Sequence, residues 1–398
     1  MIPADSSSLE TKIHASIYNT LRLSRDVVVY DSTLRDGEQM PGIAYTLEQK
    51  IKIARALDEM GIPQIEAGFP IVSPEERKSV RTISSLGLEA DILALSRVSI
   101  NDINAVVDCD VDMILLFVGS SDLHLKHKLR CDIRQIKERT VEAIEYAKEH
   151  GIRVSFSSED STRTREEILL DLLKTASEMR IDRVGITDTI GGATPEAIFY
   201  LVRKVREVVG KTPVSVHLHN DFGLALANAL AGVKAGARAV ATTVNGIGER
   251  AGNVPLEEFV MAMKVLYGSD LGIDTTGFYR LSRMVSEFSG VPVHPNKPLV
   301  GENAFSHESG IHVAALLKNT ATYEVIPPEL VGNRRHLKLG KHTGSTFVKR
   351  LLKEKHISAT EDEVFQILDR IKELPEVNER MFWKLVKEVK GEEPHTER

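Results

Sequence analysis

The sequence predicts an α/β protein: a (β/α)8 TIM barrel followed by a smaller, mainly helical C-terminal region. Three observations predict it. Short β-branched runs alternate with longer helical patterns eight times, over roughly 250 residues, the usual extent of such a barrel. The runs are nearly continuous apolar stretches ending in polar residues, as parallel strands buried on both faces should read. Ionisable residues gather at the C-terminal ends of most runs, which a closed barrel brings to one face and an open doubly wound sheet would scatter. No GxGxxG follows the first run, which also disfavours the open sheet.

The predicted strands are VVVYDST (27–33), IPQIEAG (62–68), ADILALSR (90–97), MILLFVG (113–119), RVSFSSED (153–160), RVGITDT (183–189), PVSVHLH (213–219) and AVATTVNG (239–246). Helix-start signals lie between them. Thr46 with Gln49 and Thr164 with Glu167 read as capping boxes. Ser73-Pro74 and Thr194-Pro195 place a capping hydroxyl before a proline at the first helical position. Gly61 and Gly151 stand where a helix should stop. Residues 1–26 read as an N-terminal arm, 27–290 as the barrel, 291–301 with three prolines as a linker, and 302–398 as the helical region, with a frayed GEEPHTER end.

Bulk properties exclude several function classes. Hydrophobic residues make up 42% and charged residues 27%, an ordinary globular balance. The formal net charge of -6 gives no footprint for nucleic acid. No apolar stretch approaches a membrane span, and MIPADSSSLETKIH is no signal peptide. The two cysteines, Cys109 and Cys131, form no CxxC pair, so free thiols and a cytoplasmic home are expected.

Four motifs at predicted strand ends carry chemistry. In HLHND (217–221), His217 and His219 stand at i and i+2 on a strand and can turn both imidazoles to one point. With a carboxylate they make a site for a divalent metal with open positions; the plainer alternative is one histidine hydrogen-bonded in the core. DSTLRDGEQ (31–39) packs Asp31, Arg35, Asp36, Glu38 and Gln39 together; Arg35 can polarise a carbonyl, or the loop is merely salt-bridged at the rim. Ser155, Ser157 and Glu159 share one face of the fifth strand, and Thr187 and Thr189 repeat the spacing on the sixth. The set is a wall for a small carboxylate or, residue by residue, ordinary strand-end capping. In NGIGERAGN (245–253), glycines including Gly246 and Gly248 let the backbone approach a cofactor, or simply adopt positive φ in a turn. Beyond the linker, SHESGIH (306–312) and KNTATYE (318–324) carry candidate proton donors, or a polar helical face.

Together these motifs resemble the isopropylmalate synthase and homocitrate synthase family, in order and spacing, from about residue 27 to about residue 345. The resemblance implies a divalent metal (Mg, Mn, Zn or Co) held by Asp36, His217 and His219, with Asn253 nearby. It implies that Arg35 contacts a 2-oxo acid, Thr189 binds its carboxylate, and Glu159 is an active-site carboxylate. It implies that His312 and Tyr323 are an acid/base pair reaching the partner's barrel in a domain-swapped homodimer. The implied reaction condenses acetyl-CoA with the 2-oxo acid.

The acceptor is expected to be 2-oxoglutarate, giving homocitrate. The chain has no room for the regulatory domain usual in isopropylmalate and citramalate synthases, and IEAGFPIVS and ILALSR resemble archaeal homocitrate synthases of coenzyme B synthesis. One departure stands against this. Homocitrate synthases of the lysine pathway hold the distal carboxylate with an Arg and a His, and the matching positions here are Ser155 and Leu93. Ser157 or Arg97 would then have to serve, or Leu93 and Leu95 suit an apolar acceptor such as 2-oxoisovalerate or pyruvate. A hydroxyacyl-CoA lyase on this barrel usually lacks the His312–Tyr323 region, and a non-catalytic sensor has no reason to hold the set together.

Overall fold

Eight strands do close into a barrel. They are β1 (Val28–Asp31), β2 (Gln64–Gly68), β3 (Asp91–Arg97), β4 (Met113–Gly119), β5 (Arg153–Glu159), β6 (Arg183–Asp188), β7 (Val214–Leu218) and β8 (Ala239–Thr242). Each pairs in parallel with the next, and β8 returns to β1 in the register Val28↔Ala239 to Asp31↔Thr242. The structure is a computed structural model describing residues 13–374 and 377–391. The first twelve residues of the predicted arm, and EEPHTER at the predicted frayed end, lie outside the described residues.

The described residues form two compact units: Tyr18–Val293, and those from His294 onward together with those before Tyr18. In the first, helices α1 (Leu47–Glu59) to α7 (Ala225–Ala235) alternate with the strands, and α8 (Leu256–Met261) and α9 (Phe278–Ser289) follow β8. Thr46 and Gln49 form the expected reciprocal cap, and Ser73 and Thr194 cap α2 (Pro74–Ser84) and α6 (Pro195–Val209). Thr164 does not cap α5 (Glu166–Glu178). Its hydroxyl is held instead by the Asp160 carbonyl and the Ser120 hydroxyl, and Arg165 takes the cap position. The eighth strand is shorter than predicted, because Asn245 turns to a φ of +62° inside VNG.

The barrel interior is filled, not hollow. Tyr30, Leu93, Met113, Leu115, Ala239 and Ala241 form a buried layer across it. That layer is the floor on which the polar strand ends stand. In the second unit, α11 (Ser345–Glu354), α12 (Glu361–Lys372) and α13 (Glu379–Lys390) bury a face of Val348, Leu352, Ile367, Ile371 and Phe382. Before them come α10 (Gly310–Leu316) and a parallel pair of two-residue strands, Ser306–His307 and His336–Leu337. No helix among the described residues is long and apolar enough to cross a membrane.

Candidate active site

Three side chains from opposite ends of the barrel sequence meet at one point. Asp36 follows β1 and is buried. His217 on β7 and His219 just beyond it place their Nε2 atoms 3.3 Å apart. These atoms lie 3.5 Å and 4.0 Å from Asp36 Oδ2. The carboxylate inside HLHND, Asp221, is not part of the cluster: Arg250 holds it through two hydrogen bonds of 2.8 and 2.9 Å.

The donor set fits a divalent cation. Asn253 donates from Nδ2 to Asp36 Oδ1 at 2.7 Å, while its own Oδ1 is buried without a hydrogen-bond partner. Unpaired buried polar atoms are costly, and a cation with its water shell is what such a cluster satisfies. Ionisation states agree. Burial, then the neighbouring His217, lowers the pKa of His219 to about 4, so it stays neutral with a free lone pair. Burial opposes the Asp36 charge, but Arg35 and the two imidazoles hold its carboxyl well below the usual range.

Arg35 is locked in place. Glu66 on β2 accepts from its Nε at 2.7 Å and its Nη2 at 3.0 Å, and Asp36 accepts from Nη1 at 2.7 Å. Ser32 donates to the same Glu66. Burial works against the Arg35 charge, yet the two carboxylates keep it fully protonated. Glu66 is a site residue that motif reading missed. Its signal was an acid in the middle of an apolar strand, IPQIEAG, where a charge has to find a partner.

A cavity of about 380 Å³ opens over this cluster, lined by Arg35, Asp36, His217 and His219. Ser155, Ser157, Glu159, Thr187 and Thr189 all line it, so the expected hydroxyl wall exists as one surface. Glu159 is gripped by Lys128, from the turn after β4, at 2.6 and 2.8 Å. Thr189 accepts a hydrogen bond from the Asp160 N–H at 2.8 Å.

Two expectations about the wall are corrected. Leu93 does not line the cavity; it is fully buried in the floor layer, and Leu95, two residues nearer the strand end on the same face, lines it with Phe69, Leu115 and Phe117. Arg97 is not available to a ligand there. It is bound to Asp102 by two hydrogen bonds, of 2.6 and 3.0 Å, and does not border the cavity.

Gly248 is required by the triad itself. A Cβ there would fall 2.1 Å from Asn253 Nδ2 and 2.6 Å from Asp36 Oδ1. Gly246, at φ +71°, packs against Pro255 and the Asn253 carbonyl. The close approach these glycines allow is thus to the loop's own neighbours around the metal-type cluster. In the second unit, His312 and Tyr323 are brought together: their rings stack at 4.0 Å and 28°, and both are exposed. Arg335 grips Glu324, next to Tyr323, through Nε at 2.6 Å and Nη2 at 2.5 Å.

Residues 26–285 match the family described as HMGL-like, and residues 299–379 match the homocitrate synthase post-HMGL domain-like family. The chain is 54% identical to homocitrate synthase AksA of Methanopyrus kandleri, over 88% of each chain. It is 48% identical to a 2-isopropylmalate synthase of Sulfurisphaera tokodaii, over 92% of this chain and 95% of that one. That second relative is comparably long, so length does not separate the acceptors. Among solved structures, a hydroxymethylglutaryl-CoA lyase of Pseudomonas aeruginosa aligns with a TM-score of 0.62 at 22% identity, over 68% of this chain and 95% of that one, a likeness of fold. The barrel, the appended second region and these matches place the chain in the HMGL-like family, in its branch of isopropylmalate and homocitrate synthases.

Proposed function

We propose that the protein joins the acetyl group of acetyl-CoA to the keto carbon of 2-oxoglutarate, giving homocitrate and CoA. The observation that carries this is the convergence of Asp36, His217 and His219 beside a guanidinium already fixed by Glu66. A divalent cation held there, Mg, Mn, Zn or Co, supplies Lewis-acid polarisation of a ketone. Arg35 shares the negative charge that develops on the keto oxygen, and its locked geometry means no reorganisation is needed as that charge forms. Thr189 holds the carboxylate next to the ketone.

The acetyl methyl loses a proton to a base, the resulting carbon bonds to the keto carbon, and the alkoxide is protonated. Water then cleaves the thioester, releasing the CoA thiol. His312 is the base and Tyr323 its partner, while Glu159 orients the acetyl group. The pair acts on the barrel of a second copy in a homodimer. Support for this comes from the family resemblance and from the exposure of both rings. A light-scattering mass of two chains is the expected result.

The second reading takes 2-oxoisovalerate or pyruvate as acceptor. Phe69, Leu95, Leu115 and Phe117, which form an apolar part of the wall, favour it. Thiol release from acetyl-CoA by metal-loaded protein, with the three acceptors in parallel, decides. A preference for 2-oxoglutarate supports the first reading, and a preference for either other acceptor supports the second. No release with any of them sinks the condensation.

A further inference from the structure

A charge lies directly beneath the cavity, and the mechanism does not use it. Arg183 begins β6, is 5% exposed, and points into the barrel. Its hydrogen bonds all go to neutral groups: Nε to Ser155 Oγ at 3.2 Å, Nη1 to Gln64 Oε1 at 2.9 Å, and Nη2 to Met113 Sδ at 3.7 Å. Its guanidinium carbon lies 4.7 Å from the centre of the Tyr30 ring. It makes no ion pair among the described residues. A guanidinium buried with no carboxylate in contact is costly, because an arginine does not shed its proton to escape.

The cations that border the cavity are already neutralised. Arg35 is bound by Glu66 and Asp36, Lys128 by Glu159, and Arg250 by Asp221. A second carboxylate brought to Lys128 would also face the Glu159 charge. Arg183, by contrast, has no carboxylate in contact among the described residues, and Ser155 stands between it and the cavity. The Ser155 oxygen accepts from Arg183, and none of the described groups takes its proton. That proton is free to be donated upward. Gly185 lets the Ser157 hydroxyl fold down beside Ser155, since a Cβ there would lie 2.0 Å from Ser157 Oγ and 3.1 Å from Ser215 Oγ. The result is a patch of the cavity wall made of the Ser155 and Ser157 hydroxyls, with a cation underneath.

We propose that Arg183, acting through the Ser155 hydroxyl, is the positioning residue that selects an acceptor with a second, distal carboxylate. The hydroxyl donates to that carboxylate, and the guanidinium beneath supplies the counter-charge. This rests on the reading of the protein as a condensing enzyme for a 2-oxo dicarboxylic acid, and it assigns to the neighbouring strand the cation that β5 lacks.

The test uses the full chain, metal-loaded, with kcat/KM for 2-oxoglutarate and for 2-oxoisovalerate measured by thiol release. In S155A and R183Q, the ratio of the two is expected to fall by about tenfold or more, chiefly through KM for 2-oxoglutarate, as loss of a charge-assisted contact of about 1.5–3 kcal/mol implies. R183K should recover part of the ratio, which a purely structural role for the arginine would not produce. If R183Q does not fold, S155A decides, because it leaves the guanidinium in place. A wild-type enzyme that does not prefer 2-oxoglutarate overturns the acceptor assignment, and this inference with it. A wild-type preference that survives unchanged in S155A and in whichever Arg183 variants fold overturns this inference alone.

Discussion

Asn253 and Asp36, 217 positions apart in the chain, are joined by a 2.7 Å hydrogen bond from Nδ2 to Oδ1. The bond leaves Asp36 Oδ2 facing the two imidazoles. Asn253 thus sets the direction of a carboxylate that it holds from the far end of the barrel sequence.

N253A should therefore weaken metal binding without removing a histidine. Losing a group that orients a metal ligand costs about 10–100-fold in affinity. Calorimetric titration of chelator-stripped protein with Mn²⁺ or Zn²⁺ measures it. An unchanged affinity would mean that Asp36 needs no such guide.

G248A should act on the same atoms by a different route. The added Cβ meets Asn253 Nδ2 and Asp36 Oδ1 well inside contact distance, at a backbone φ of +152°. Metal affinity and thiol release should both fall by at least about tenfold, comparable to loss of that orienting bond. Circular dichroism should retain the native helix content, because the substitution lies in a loop after β8.

E66A tests what holds Arg35. The pair is buried, and removing one partner strands the other charge. A loss of about 3–5 kcal/mol in unfolding free energy is expected. E66Q keeps an acceptor and should lose less. Urea denaturation of the two variants orders them. Equal, small losses would show that Asp36 alone suffices for Arg35.

Asp31 predicts a pH dependence. Burial raises its pKa to about 7 against the hydrogen bonds from Thr33 that favour its charge, and its Oδ2 has no partner. The folded state then binds a proton that the unfolded state has released between pH 3.8 and about 7. Stability from this group is present below that window and is lost as pH rises through it. D31N removes the titration and keeps an acceptor for the Thr33 N–H. Its melting temperature should exceed that of wild type at pH 8, by roughly 1–2 °C for each kcal/mol in a chain of this length, and approach it near pH 5. A constant difference across that range would place the Asp31 pKa near its ordinary value.

The sequence by itself determined the eight strands, their parallel order, the closure into a barrel and the two histidines of the cluster. These follow from periodicity and from the i, i+2 rule, which are local properties of the chain. It also marked Ser155, Ser157, Glu159, Thr187 and Thr189 as wall residues by their alternate spacing on two strands, and Arg35 as a group that polarises a carbonyl. Depth and partnership it did not determine. Leu93 and Leu95 share a face, and only the stacking of layers in the closed barrel puts one in the floor and the other in the cavity. Asp221 sits beside the histidines in sequence, yet Arg250 claims it, and Asp36 arrives from the first strand instead. Glu66 meets Arg35, and Arg183 lies under Ser155, through contacts between strands that no local pattern records. A buried charge takes its meaning from its nearest counter-charge, and the closed barrel decides which groups those are.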